Sequence, residues 1–143
     1  MDASVFAEHL LPGRDSGLVA PLFDPLLDVA YWFPDHGILE VASALRKRYL
    51  ADPAFTLEDL RTGLEDLLAL GPVTVSTATL VHRITEYADR LTPYDAAYLV
   101  LAQARMLPIC TFDGGLAATS RSAGITVLQP GTPAFTRWLE DLR

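Results

Sequence analysis

The stretch that decides the fold spans residues 91–115, LTPYDAAYLVLAQARMLPICTFDGG. Its first half predicts a helix, because Thr92 is a good N-cap and Pro93 suits the first helical position. Pro108 ends that helix, and the apolar run over residues 109–112 is typical of a buried parallel strand. Asp113 stands where this strand stops. Since ligands bind at the carboxyl ends of strands in an open α/β sheet, the sequence predicts a site beside Asp113.

A second carboxylate belongs to the same stretch. Asp95 lies three residues after Thr92, at the acidic position of a capping box. We expect Asp95 and Asp113 to approach each other at one end of the sheet. Each also has a plainer interpretation, since Asp95 could serve only its own helix cap. Asp113 could serve only an Asp-Gly turn or cap the helix that begins at Leu116.

Outward from this stretch, helical periodicity alternates with short apolar runs. Helices are predicted over residues 36–50, 57–70, 77–91, 116–123 and 134–142, and strands over residues 29–33, 73–75 and 125–128. Thr56 and Asp59 form a capping-box pattern at the start of the second of these helices. The pattern is typical of an α/β fold, and the length of 143 residues fits a single domain over residues 1–143.

Composition restricts the class of protein. Half of the residues are hydrophobic, which predicts a globular chain. No apolar run approaches the length of a membrane span, and the first residues do not resemble a signal peptide. One cysteine, Cys110, allows neither a disulfide framework nor a zinc site, and we expect a buried, inert thiol. These features together predict a cytoplasmic protein without membrane partners.

The net charge of −7 argues against a protein that grips nucleic acid by general electrostatics. It leaves open a nuclease whose excess negative charge is concentrated in a metal site. Ten of the eleven basic residues are arginines, and Lys47 is the one lysine. Arginine suits bidentate phosphate contacts, although genome base composition explains the same bias.

Five segments, taken in order and spacing, resemble the PIN domain family, in particular the small VapC-type toxins. They are DASVF at 2–6, EVASALRK at 40–47, YDAAYLVLA at 94–102, PICTFD at 108–113 and GITVL at 124–128. The resemblance covers nearly the whole chain and implies a three-layer α/β/α sandwich with a mostly parallel sheet. In that family the first Asp ends a central strand. Only Met1 precedes Asp2 here, so we expect the first strand to be largely missing.

The same resemblance implies an acidic cluster with catalytic and metal-binding roles, made of Asp2, Glu40, Asp95 and Asp113. Ser4 and Thr111 match positions that often hydrogen-bond to this cluster in the family. Without the resemblance, Asp2 would be interpreted as a frayed terminal residue. Glu40 would be interpreted as a solvated glutamate, because it lies opposite the apolar stripe of its helix.

Clustered carboxylates require a cation. Two charges about 4 Å apart at an effective dielectric near 20 repel by about 4 kcal/mol. All-oxygen ligands select Mg²⁺ or Mn²⁺ over zinc or copper, and such an ion can polarise a phosphodiester and activate water. No Ser, Cys or His nucleophile is then required. His9, His36 and His82 lack ligand spacing, and we expect surface or capping roles for them.

The resemblance therefore implies a Mg²⁺- or Mn²⁺-dependent endoribonuclease, the toxin of a type II toxin–antitoxin pair. It implies an RNA substrate, a homodimer and a VapB-like antitoxin that blocks the site. One alternative is a catalytically impaired PIN scaffold that acts as a binding module, which the missing first strand favours. A receiver-like regulatory domain is a second alternative. That class usually needs a lysine after its last strands, and no lysine follows Lys47.

Overall fold

A computed structural model describes residues 1–11 and 13–142 of the chain, so that Pro12 and Arg143 lie outside the description. The helices in this part are α1 (Ala3–Leu10), α2 (Ser16–Val19), α3 (Gly37–Ala51), α4 (Leu57–Ala69), α5 (Val81–Ile84), α6 (Pro93–Arg105), α7 (Gly114–Ser122) and α8 (Pro133–Asp141). Short 3₁₀ turns occupy Ala20–Phe23, Thr77–Thr79 and Thr85–Tyr87. The strands are β1 (Trp32–Pro34), β2 (Val73–Val75), β3 (Ile109–Cys110) and β4 (Val127–Leu128). The predicted α/β class is confirmed.

The strands form two separate parallel pairs. β1 pairs with β2, with Trp32 opposite Val73, and β3 pairs with β4, with Ile109 opposite Val127. Strand β2 covers the predicted residues 73–75, whereas β1, β3 and β4 are each shorter than the apolar run that predicted them. The structure therefore shows mixed α/β architecture with parallel pairing, in which helices contribute most of the ordered chain.

The first two residues lie between the two pairs of strands. The Met1 α-amino nitrogen donates to the Trp32 carbonyl at 2.8 Å, and the Asp2 amide donates to the Cys110 carbonyl at 2.9 Å. Strand β2 takes the opposite edge of β1, since the Val73 amide donates to the Tyr31 carbonyl at 2.8 Å. Met1 and Asp2 thus connect β1 to β3 through backbone hydrogen bonds, and we call these two residues the stub.

Helix α6 forms the centre of the core. All of its residues 96–102 are buried. The larger cluster around α6 includes Phe6, Phe33, Val41, Leu45, Leu67 and Leu116. A smaller cluster surrounds β3 and β4 and consists of Val5, Val19, Leu22, Cys110, Leu128 and Phe135. In the described part of the chain, no helix combines the length and the apolar character that crossing a bilayer requires.

One predicted helix is wrong. Residues 77–91 do not form one continuous helix but two 3₁₀ turns around the single turn α5. Threonine explains the break, because its hydroxyl competes for backbone groups. The Thr79 hydroxyl donates to the Ser76 carbonyl at 2.7 Å, and the Thr85 hydroxyl donates to the His82 carbonyl at 2.8 Å.

Candidate acidic site

Asp2 is a buried carboxylate. Its side-chain oxygen Oδ2 accepts hydrogen bonds from the Ser4 hydroxyl at 2.6 Å and from the Thr111 hydroxyl at 2.7 Å. Only 8% of Asp2 is exposed, and Thr111 is completely buried beside it. The interpretation of Asp2 as a frayed terminal residue is therefore wrong. The two hydroxyl residues that the resemblance placed near the acidic cluster both lie against Asp2.

Glu40 reaches the same region from helix α3. The Tyr98 hydroxyl donates to Glu40 Oε2 at 2.7 Å, and 35% of the Glu40 side chain is exposed. Gly37 makes this approach possible, because a Cβ there would lie 2.6 Å from the Tyr98 hydroxyl oxygen. Glu40 is consequently half-buried against α6, and the interpretation as a fully solvated residue is wrong.

His36 is a neighbour of this site that the sequence interpretation missed. Its Nε2 lies 3.5 Å from Glu40 Oε2 but makes no hydrogen bond, so this buried nitrogen has no hydrogen-bond partner among the described residues. Its Nδ1 lies 3.2 Å from the Thr77 hydroxyl. The spacing of four residues between His36 and Glu40 is the one signal that could have indicated this contact.

The electrostatic environment of Glu40 includes two other acidic residues. Burial raises the pKa of the Glu40 carboxyl, and the negative charges of Asp2 and Asp95 raise the pKa further. The Tyr98 hydrogen bond and the charge of His36 oppose this increase. Burial, followed by the Glu40 charge, also raises the pKa of the Tyr98 hydroxyl. Three carboxylates from distant parts of the chain therefore share one electrostatic environment.

Asp95 lies in the first turn of α6. Thr92 caps this helix as predicted, since its hydroxyl accepts from the Asp95 amide at 3.2 Å. The Asp95 carboxylate accepts from the same hydroxyl at 2.6 Å. The reciprocal capping box is complete at Thr56 and Asp59 but not here. Asp95 is half-buried. Its carboxylate accepts no hydrogen bond from the Thr92 amide, which is the bond that would complete a capping box.

Asp113 lies three residues beyond β3 and is exposed. It is the N-cap of α7, where its Oδ1 accepts from the Leu116 amide at 2.6 Å. Its own amide donates to the Thr111 hydroxyl at 2.9 Å, and that hydroxyl in turn donates to Asp2. Asp113 is thus connected to Asp2 through Thr111, but it is not among the charges that raise the Glu40 pKa.

The four carboxylates share one feature. In each, one oxygen accepts a hydrogen bond and the other accepts none from residues 1–11 or 13–142; the engaged oxygens are Asp2 Oδ2, Glu40 Oε2, Asp95 Oδ2 and Asp113 Oδ1. Such oxygens are the donors that a hard divalent cation prefers. Within the described residues, however, no three His, Cys, Asp or Glu side chains converge closely enough to hold a metal ion.

In comparisons with known proteins, no family model and no curated protein matches this chain.

Proposed function

We propose that this chain is a PIN-like α/β/α domain that hydrolyses RNA phosphodiester bonds with Mg²⁺ or Mn²⁺. The observation that carries the proposal is the shared environment of Asp2, Glu40 and Asp95. Burial of Glu40, and to a smaller extent the negative charges of Asp2 and Asp95, disfavour the ionised carboxyl and raise its pKa. Stability alone does not explain such an arrangement, which is typical of functional sites.

The proposed ligands are Asp2, Glu40, Asp95 and Asp113, through the oxygens that accept no hydrogen bond from the described residues. Ser4 and Thr111 fix the Asp2 carboxylate, and Tyr98 fixes Glu40 in the same way. A divalent cation held there would supply Lewis-acid polarisation of the phosphodiester and would lower the pKa of a bound water. The four carboxylates would hold the ion, and their all-oxygen ligand set would select Mg²⁺ or Mn²⁺ over cations that prefer soft ligands.

The proposed partners follow from the resemblance. With a net charge of −7, a single protomer attracts RNA weakly, and a homodimer would combine the basic residues of two copies. As the toxin of a type II pair, the protein would be inhibited by a VapB-like antitoxin that covers the acidic site. The cytoplasm is the compartment in which such a toxin meets its RNA.

Substitution of the acidic residues tests the activity. Asp95→Asn and Asp113→Asn each keep the shape of the side chain and remove one negative charge from the site. We expect RNA cleavage with Mg²⁺ or Mn²⁺ to fall tenfold or more in each variant, equivalent to about 1.4 kcal/mol. Thermal stability should change little for Asp95→Asn, because the amide oxygen of Asn still accepts from the Thr92 hydroxyl.

The control for this test is Asp89→Asn. Asp89 lies outside the acidic site, where its carboxylate pairs with Arg90 at 3.2 Å on the surface, a contact of little energetic value. Its cleavage rate should equal that of the parent. If Asp89→Asn and Asp95→Asn reduce cleavage alike, the acidic residues have no special role in hydrolysis.

The second candidate function is a binding module on an impaired PIN scaffold. The observation that favours this candidate is that no three of the acidic side chains in the described residues converge on one point. A parent protein that cleaves no RNA with either cation, but still binds an antitoxin-like partner, would have this second function.

A further inference from the structure

An open cavity of about 470 Å³ adjoins the acidic site on the outer side of helix α3. We call it the α3 cavity; it is lined by His36, Leu39, Glu40, Ser43, Lys47 and Tyr94. Its volume lies within the range of small-ligand sites in proteins, about 300–1,000 Å³. Glu40 belongs to both the cavity and the acidic site, so a ligand in the cavity adjoins the Glu40 carboxylate.

Tyr94 provides an aromatic wall for this cavity. It directly precedes Asp95 at the start of α6, and 60% of the residue is exposed. Its ring contacts the His36 ring edge-to-face, with centroids 5.4 Å apart, and His36 packs in the same way on Tyr98 at 5.5 Å. Tyr94 is therefore an exposed ring held in place from one side, which suits stacking with a planar ligand.

Lys47 provides the positive charge. It lies two helical turns after Glu40 on α3, so both face the same cavity. The Lys47 amino group forms no ion pair within 4.0 Å of any carboxylate in the described part of the chain. A cation that pairs with no carboxylate of the described residues, and that lines the same cavity as an exposed aromatic ring, fits an anionic ligand with a planar base.

We propose that the α3 cavity binds one nucleotide of a single-stranded RNA, with its base stacked on Tyr94 and its phosphate paired with Lys47. The proposal rests on the proposed function, because the adjoining phosphodiester would then reach Glu40 and Asp95. Stacking on an aromatic ring accepts every base, since each base has a π-face. The cavity consequently positions the strand without selecting its sequence.

The test is the equilibrium binding of a short, fluorescently labelled, single-stranded RNA of mixed sequence, measured by anisotropy in EDTA so that cleavage does not interfere. Tyr94→Ala should weaken binding about tenfold, and Tyr94→Phe should retain it, because the ring supplies the stacking. Lys47→Ala should reduce the slope of log affinity against log salt by about 0.7, the value for one phosphate contact on a single strand.

Two matched controls lie on α3 outside the cavity. Tyr49→Ala removes an aromatic residue that is 38% exposed, and Arg46→Ala removes an exposed cation next to Lys47. Tyr49→Ala should leave the affinity unchanged, and Arg46→Ala should leave the salt slope unchanged. Equal effects of Tyr94→Ala and Tyr49→Ala, or a parent that binds no single-stranded RNA, would overturn the inference.

Binding and cleavage fail independently in this design. If Tyr94→Ala weakens binding but Asp95→Asn leaves hydrolysis unchanged, the nucleotide site stands and the proposed active site is wrong. If Asp95→Asn abolishes cleavage while Tyr94→Ala binds RNA like the parent, the active site stands and the α3 cavity does not hold the nucleotide.

Discussion

Glu40 is the residue on which the acidic site depends. It accepts a hydrogen bond from Tyr98, lies 3.5 Å from His36 and adjoins the α3 cavity. Burial beside two other carboxylates raises the pKa of its carboxyl above the ordinary value of 4.5. The charged form of Glu40 is thus disfavoured in the folded protein, and a bound cation would relieve this cost.

We expect Glu40→Gln to stabilise the metal-free protein at neutral pH and to weaken its binding of Mg²⁺ or Mn²⁺. A carboxyl whose folded pKa is raised contributes stability below its unfolded pKa, and that contribution is lost as the pH rises through the folded pKa. The melting temperature of Glu40→Gln should therefore exceed that of the parent by roughly 2 °C or less at about pH 7, with no excess at about pH 4.

The control for this prediction is Glu65→Gln, a substitution at an exposed glutamate on α4. Its melting temperature should equal that of the parent at both pH values. A Glu40→Gln protein that melts below the parent at neutral pH would indicate that the ionised carboxylate stabilises the metal-free fold.

At the scale of the elements, the site depends on how closely α3 approaches α6. Gly37 begins α3, and an added Cβ would lie 2.6 Å from the Tyr98 hydroxyl oxygen and 3.0 Å from ring carbons of Phe33. Both neighbours are buried, and Phe33 belongs to the central cluster. The absence of a side chain at Gly37 therefore brings Glu40 and Tyr98 into hydrogen-bond range.

We expect Gly37→Ala to lower the free energy of unfolding by about 1–3 kcal/mol, the usual cost of overpacking. Gly17→Ala is the matched control, because a Cβ at Gly17, in helix α2, meets no atom within 4 Å. Chemical denaturation should show Gly17→Ala to be as stable as the parent or more stable, since alanine favours a helix. Equal stability of both variants would mean that α3 moves away from α6 without cost.

The helix caps show which parts of the fold were predictable from the sequence. Thr56 and Thr92 begin their helices as expected, because an N-cap involves residues only three positions apart. The segment 77–91 was predicted wrongly because threonine hydroxyls compete with helical hydrogen bonds there. The contact of Asp2 with Thr111 joins residues 109 positions apart, and no local pattern encodes it.

For the site itself, helical periodicity wrongly predicted that the Glu40 side chain points into solvent. The residue lies opposite the apolar stripe of α3, yet it turns towards α6 because Tyr98 offers a hydroxyl there. Only the resemblance to known sequences placed Glu40 in the acidic cluster. The position of His36 beside Glu40 depends on ring contacts with Tyr94 and Tyr98. These contacts form only when α3 packs against α6.

At the scale of the whole molecule, the stub at Met1 and Asp2 connects the two pairs of strands through backbone hydrogen bonds. Successive residues of a strand in a parallel sheet bond to opposite neighbours. The Tyr31 carbonyl accepts a hydrogen bond from β2, so the backbone groups of Trp32 face the stub. Likewise the Ile109 amide donates towards β4, so the backbone groups of Cys110 face the stub. The amides of Trp32 and Cys110 therefore point into the space ahead of Met1.

That space is an apolar groove of about 260 Å³. Its lining includes Val29, Ala30, Tyr31, Trp32, Pro108, Leu128 and Trp138. The Met1 amino group at its end is buried, and this burial lowers the pKa of the amino group from its ordinary value of 8.0. An apolar groove bordered by two parallel strand edges has the shape and the hydrogen-bonding groups to accept one more parallel strand.

We expect a short run of β-branched apolar residues, joined ahead of Met1, to stabilise the protein. The added strand would pair with both β1 and β3, at about 1 kcal/mol per net hydrogen bond, and would bury its side chains in the groove. It would also replace the buried Met1 amino group by a neutral amide. These gains should exceed the cost of ordering the added residues, about 1–2 kcal/mol each, so the melting temperature should rise by several degrees.

A glycine–serine run of the same length is the control, since it extends the chain without apolar side chains or strand propensity. It should melt no higher than the parent. If the β-branched and glycine–serine forms have equal melting temperatures, the groove does not accept a strand. The two pairs of strands are then complete with the stub alone.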